Sequence, residues 1–230
     1  MLKLIPLLLP ILYGMVIYHF SAWRTAKQLV RDSTELAEPK LLAMTQKMAK
    51  ALDVARIKVR IYEVNPINGL AATDGQIFLT RGFLKAYVEG RVTADELAGV
   101  IAHELGHVAL GHARRRMIDF TGQNAMIVLA STLLSRFLPG IGLLIARKLL
   151  GMGTGVLAAR LSQRDEYEAD AYAAALMVKA GLGTSALKSL FEKLGDLTGQ
   201  SHQGPAWSMS HPKPQDRIRA IAQLEEKWKR

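Results

Sequence analysis

The chain opens on an apolar run, "MLKLIPLLLPILYGMVIYHF", in which Lys3 is the single charged side chain. A helix of that length crosses a bilayer core of roughly 30 Å. The run ends in bulky His19, Phe20 and Trp23 instead of the small residues of a signal-peptide cleavage site. Tyr18 and Trp23 suit a membrane interface, with Arg24, Lys27 and Arg31 just beyond it. The pattern predicts a retained anchor over 1–23 and one domain over 24–230. Leu41, Leu42, Met44 and Met48, set between charges, predict helix within 24–52. In "ARIKVRIYEV", Ile57, Val59 and Ile61 alternate with Lys58, Arg60 and Tyr62, the signature of a half-buried strand. "NGLAATDGQIFLT" places Asp74-Gly75 between two extended runs, which predicts a hairpin.

Thr93 stands three residues before Glu96, the capping box that opens a helix, and the pattern carries that helix to about Arg116. Residues 124–160 are apolar and broken at Pro139-Gly140, which predicts a helical hairpin packed on the domain. Two membrane spans there would put Arg147 and Lys148 at a costly depth. "GMGTG" at 151–155 lacks the Lys-Ser/Thr ending of a phosphate loop and is read as a helix contact or hinge. A further helical pattern runs from Ser162 to Gly181, and the plain alternative to a ligand role for its acidic residues is a capped first turn with Ser162 as cap and Asp165 at N3. A loop follows Leu197, and a charged helix closes the chain. No internal repeat is present, and the fold class is α+β, mainly α-helical, with a small β-sheet.

Chemistry concentrates in "GVIAHELGHVALGH" at 99–112. On a helix, His103 and His107 project about 40° apart on one side, so both imidazoles reach one metal ion. Glu104 lies roughly 100° round from His103, beside the metal, where it can take a proton from water. Two core histidines bonded to backbone are the plain alternative, but a core helix gains nothing from burying an ionisable glutamate between them. His112 falls about 180° from His103, on the opposite face, and is excluded from the site. A catalytic zinc needs a third protein ligand. "QRDEYEADA" offers Glu166 and Asp170, which share a face, while Glu168 points away towards solvent. One carboxylate could hold the ion and the other orient a histidine, and spacing alone does not choose between them.

Composition narrows the partners. Thirty Lys and Arg against 20 acidic residues give a charge of +10, which suits nucleic acid or an anionic membrane surface. The basic residues are scattered, with Arg114, Arg115 and Arg116 the one tight run, and no nucleic-acid motif appears. Membrane lipid is therefore the expected partner, and nucleic acid is not. Cysteine is absent, which excludes disulfides and thiolate metal sites. The charges after the anchor slightly favour a cytoplasmic catalytic domain. No feature of the sequence sets an oligomeric state.

HELGH together with "SQRDEYEAD" resembles the HtpX-like and CAAX-prenyl-protease-like membrane metallopeptidases, a gluzincin group. The likeness runs over about 55–221 and includes "IFLTRGFL" and "SHPKPQDRI". It implies a zincin-type catalytic domain with one Zn2+ on His103, His107 and Glu166, Glu104 as general base, and Asp170 behind a ligand. It further implies that His211 and Arg217 stabilise the oxyanion or steer the zinc site. Asn68, Gly69, Leu70, Ala71 and Ala72 stand where the family places its substrate strand. The expected activity is hydrolysis of peptide bonds in unfolded or membrane-associated polypeptides. A zinc-binding scaffold without turnover is the alternative.

Overall fold

The alternation at 57–62 becomes the centre of a four-stranded sheet in the computed structural model, which describes residues 5–119, 122, 142–198 and 212–229. Its strands are β1 (Ser33–Glu35), β2 (Val59–Tyr62), β3 (Gly69–Ala71) and β4 (Ile77–Thr80), in the order β1-β2-β4-β3. β2 and β4 run parallel, pairing Val59 with Ile77 and Ile61 with Leu79, and all four side chains are buried. β3 pairs antiparallel with β4 through the turn at Asp74 and Gly75, where Gly75 takes a φ of 86°. That turn leaves β3 at the sheet's edge.

The helices are α1 (Ile5–Arg31), α2 (Pro39–Ala51), α3 (Arg81–Val88), α4 (Ala94–Ala109), α5 (112–119), α6 (Gly142–Lys179), α7 (Ser185–Thr198) and α8 (Pro214–Trp228). α4 is the central one. Leu97, Ala98, Ile101 and Ala102 are fully buried, and the helix packs on β3 and β4, on α2, and on α6 and α7. α4 and α6 cross nearly backbone to backbone. A Cβ on Gly106 would stand 3.0 Å from Ala169 Cα, and Ala169 and Ala173 are fully buried at the crossing.

The predicted capping box forms. Glu96 N donates to Thr93 Oγ1 at 3.2 Å, and Thr93 N donates to Glu96 Oε2 at 2.8 Å. The other carboxylate oxygen accepts from Ser189 Oγ at 2.6 Å and faces Lys193 Nζ at 2.7 Å, so the cap also ties α4 to α7. Burial pushes the Glu96 carboxyl up, but Lys193, Ser189 and Thr93 outweigh it and hold it below the ordinary carboxylate range. A carboxyl depressed in the fold stabilises above the unfolded value of about 4.3 and loses that contribution as pH falls through its folded value. Glu96→Gln is expected to cost about 1–3 kcal/mol at neutral pH, and the gap to wild type should narrow in acid. Urea melts at both pH values measure it, and a gap of constant size would refute the electrostatic account.

Three expectations differ from the structure. The span 24–52, read as a helix or helices, also contains a strand, β1, and Pro39 then opens α2 at its first position. Arg60 fastens β1 to the sheet, donating to Ser33 Oγ at 2.7 Å and to the Ser33 carbonyl at 2.9 Å. α4 stops at Ala109 and not near Arg116, because Gly111 turns the chain with a φ of 64°. No helix begins at Ser162. That residue lies inside α6, which is continuous from Gly142, so 151–155 is no hinge and Asp165 is not part of an N-cap. α1 spans Ile5–Arg31 without a break. Residues 124–141 of the expected hairpin lie outside the described residues. Among the described residues no helix is long and apolar enough to cross a membrane.

Candidate metal centre

α4 presents His103 and His107 one turn apart towards α6, which presents Glu166. His103 Nε2 and His107 Nε2 are 3.1 Å apart, and each lies 3.5 Å from a Glu166 oxygen. Donors at 2.0–2.1 Å from a tetrahedral zinc stand about 3.3 Å from one another. The three side chains are therefore already spaced for one small divalent ion. Two nitrogens and one oxygen are also a donor set that zinc accepts.

Behind His103 sits a buried ionic cluster. Asp170 Oδ1 lies 2.8 Å from His103 Nδ1, which turns Nε2 towards Glu166. Asp170 in turn accepts both arms of the Arg217 fork, from Nε and from Nη2, each at 2.6 Å. Arg217 Nη2 is also 3.7 Å from Glu166 Oε2, and the guanidinium lies 4.0 Å over the Phe191 ring. Arg217 is thus engaged at the back of His103. Burial pushes the His103 imidazole down, but Asp170 and Glu166 more than reverse this and raise it to about 9. The pocket favours positive charge at this point. Burial opposes ionisation of Asp170 too, yet the Arg217 charge and hydrogen bonds keep its carboxyl below the ordinary range.

Glu104 points to the other side, towards β3. A Cβ on Gly69 would come within 3.1 Å of Glu104 Oε1 and 2.7 Å of Val100 Cγ1, so only glycine leaves the carboxylate this room. Burial pushes the Glu104 carboxyl up, against the pull of His103 and His107. A carboxyl raised in this way suits a proton acceptor working near neutral pH. Asn68, Gly69, Leu70, Ala71 and Ala72 line one cavity of about 1560 Å³ with His103, Glu104, His107 and Glu166. Arg217 reaches the same cavity, and Met15, His19 and Trp23 of α1 form another part of its wall. His211 lies outside the described residues.

Two side chains set aside on helical spacing belong beside this centre. His112 is not on an opposite face. The turn at Gly111 brings it back, fully buried, with Nδ1 2.7 Å from His107 Nδ1. Glu168 is not free in solvent. It accepts from Arg115 Nη1 at 2.7 Å and from Arg164 Nε at 2.7 Å, and lies 3.3 Å from His112 Nε2. The sequence did hold a signal for this: a glycine directly after a helical run, which takes the left-handed conformation and ends the helix. His112, Asp165 and Glu168 form a second group of close donors, but Arg115 already stands between the carboxylates, 3.1 Å from Asp165 Oδ1.

A histidine pair on one helix, a glutamate from a second and an edge strand across the cavity make a site of the metal-dependent peptidase type. Residues 35–225 match the profile of peptidase family M48, and the chain belongs to that family. It is 32% identical over 168 residues to metalloprotease LoiP of Escherichia coli, covering 72% of this chain and 61% of LoiP. It is 26% identical over 230 residues to a protease HtpX homolog of Leptothrix cholodnii, covering 87% of this chain and 77% of that one. The chain therefore spans about three fifths of LoiP, at 61%. The crystal structure of S. mikatae Ste24p shares the fold, with a TM-score of 0.57 at 20% identity over 82% of this chain and 50% of that one.

Proposed function

We propose that this chain is a membrane-anchored zinc-dependent endopeptidase acting on unfolded or membrane-associated polypeptides. One observation carries the reading: three donors at zinc-ligand separations share a cavity with Glu104 and with the edge strand β3. His103, His107 and Glu166 would hold one zinc, with Asp170 orienting His103 from behind and Arg217 clamping Asp170. Bound zinc supplies Lewis-acid chemistry, polarising a peptide carbonyl and acidifying water. Glu104 takes the proton from the attacking water and passes it to the leaving amine. The free edge of β3 pairs with an extended substrate, holding residues 68–72 alongside it. His211 is assigned to the oxyanion on the family resemblance.

The membrane part of the proposal assigns 1–23 to the anchor and 24–230 to the catalytic domain, facing the cytoplasm. Val16, Phe20 and Trp23 of α1 are exposed, and Trp23 also lines the catalytic cavity. This placement suits a substrate reaching the site from a lipid surface. The test is metal content and casein cleavage of the detergent-purified chain, before and after 1,10-phenanthroline and after zinc is restored. One zinc per chain, with cleavage lost and regained alongside it, is expected. Absence of stoichiometric zinc would sink the proposal, and zinc without cleavage would favour a binding scaffold.

A further inference from the structure

We infer that His112 is a positioning residue for His107, fixing the tautomer and ring orientation that His107 needs to present Nε2 to a metal. The inference rests on the zinc reading above and extends it to a residue outside the HELGH motif.

The two Nδ1 atoms stand 2.7 Å apart, so one must donate and the other accept. The far end of His112 decides which. Its Nε2 lies 3.3 Å from Glu168 Oε2 and 3.8 Å from Asp165 Oδ1, and ionised carboxylates only accept. As a neutral ring, His112 therefore carries its one hydrogen on Nε2, leaving Nδ1 bare to accept from His107 Nδ1–H. That leaves His107 Nε2 bare as well, facing His103 Nε2 at 3.1 Å and Glu166 Oε1 at 3.5 Å. Each link dictates the next, from the carboxylates to the metal position.

The two histidines of the motif are thus held by different means. His103 has a carboxylate directly behind it, Asp170. A carboxylate behind His107 would add another negative charge to a pocket already holding Glu104, Glu166 and Asp170. A neutral imidazole sets the orientation without adding that charge. The carboxylates it leans on lie further out, where Arg115 neutralises Glu168 at 2.7 Å and Arg116 faces Asp165 at 3.3 Å. His112 is fully buried, and the ring planes of His107 and His112 meet at 74°, so the contact is directional and sealed from water.

The test compares the full chain with His112→Phe, which fills the space but accepts nothing, and with His112→Asn, whose Oδ1 can stand in for Nδ1. Zinc affinity is read by chelator competition, folding by thermal melts without metal, and the His107 tautomer by 15N NMR of the metal-free wild type. His112→Phe is expected to weaken zinc binding by about 10–100-fold, His112→Asn to retain most of it, and His107 to carry its proton on Nδ1. Lowered melting temperatures with zinc affinity unchanged in both variants would overturn the inference, as would equal losses of affinity in both. If the phenylalanine variant fails to fold, the asparagine variant and the tautomer still decide. A wild type that binds no zinc refutes the proposed function instead, and a proton on His107 Nε2 in that same protein refutes the relay.

Discussion

Glu104→Gln is expected to leave zinc affinity within a few-fold of wild type and to lower kcat/KM by about 10²–10⁴-fold. The substitution keeps the shape of the side chain and removes its ability to take a proton. The geometry separates the two effects, because Glu104 faces Gly69 and β3 whereas the three candidate ligands face one another. Burial already disfavours the Glu104 charge, so a neutral amide should fold at least as stably as the acid. Glu104→Asp shortens the reach by one methylene and should also be impaired, which distinguishes a misplaced base from an absent one. Chelator competition and peptide-cleavage kinetics on the same preparations measure both quantities. Loss of zinc in the glutamine variant would make Glu104 a ligand, and retained kcat/KM would end its role as base.

Local patterns in the sequence carried over into the fold, and departures arose wherever a distant or punctuating residue decided the outcome. Thr93 and Glu96 cap α4 because both partners lie within one turn, and Val59 and Ile61 face inward because alternation is a property of the strand itself. The angle between His103 and His107 was legible for the same reason. The helical-wheel angle does not hold for His112, because one left-handed residue, Gly111, intervenes and ends the helix. Of the two readings of the glycines at 151–155, helix contact or hinge, the continuous helix removes the hinge. These glycines lower helix propensity, yet α6 runs through them, a tertiary override of a weak local preference. From their own neighbourhood Asp165 reads as part of a helix start and Glu168 as a solvated side chain, and their shared partner, Arg115, lies about fifty positions away. Arg217 came into view through the family resemblance alone. Its fork on Asp170 spans 47 positions, and no spacing rule reaches that far.

That fork carries the second large prediction. Asp170→Ala is expected to cost about 3–5 kcal/mol of stability, because it leaves the Arg217 guanidinium buried without its partner. It should also weaken zinc binding by about 10–100-fold, since His103 Nδ1 loses the acceptor that turns its ring. Glu166 Oε2, 3.7 Å from Arg217 Nη2, is a carboxylate left within reach of the stranded cation, and drawing it away from the metal position adds to the loss. The two consequences come apart in the double variant Asp170→Ala with Arg217→Met. Removing the stranded charge and keeping an apolar side chain against Phe191 should recover most of the stability. Zinc affinity should remain low, because nothing replaces the acceptor behind His103. Urea melts and chelator competition on the two variants read these terms separately. A double variant no more stable than the single one would show that the cost is lost packing and not unpaired charge. One that regained full zinc affinity would place the whole effect of Asp170 on Arg217, leaving none for the orientation of His103.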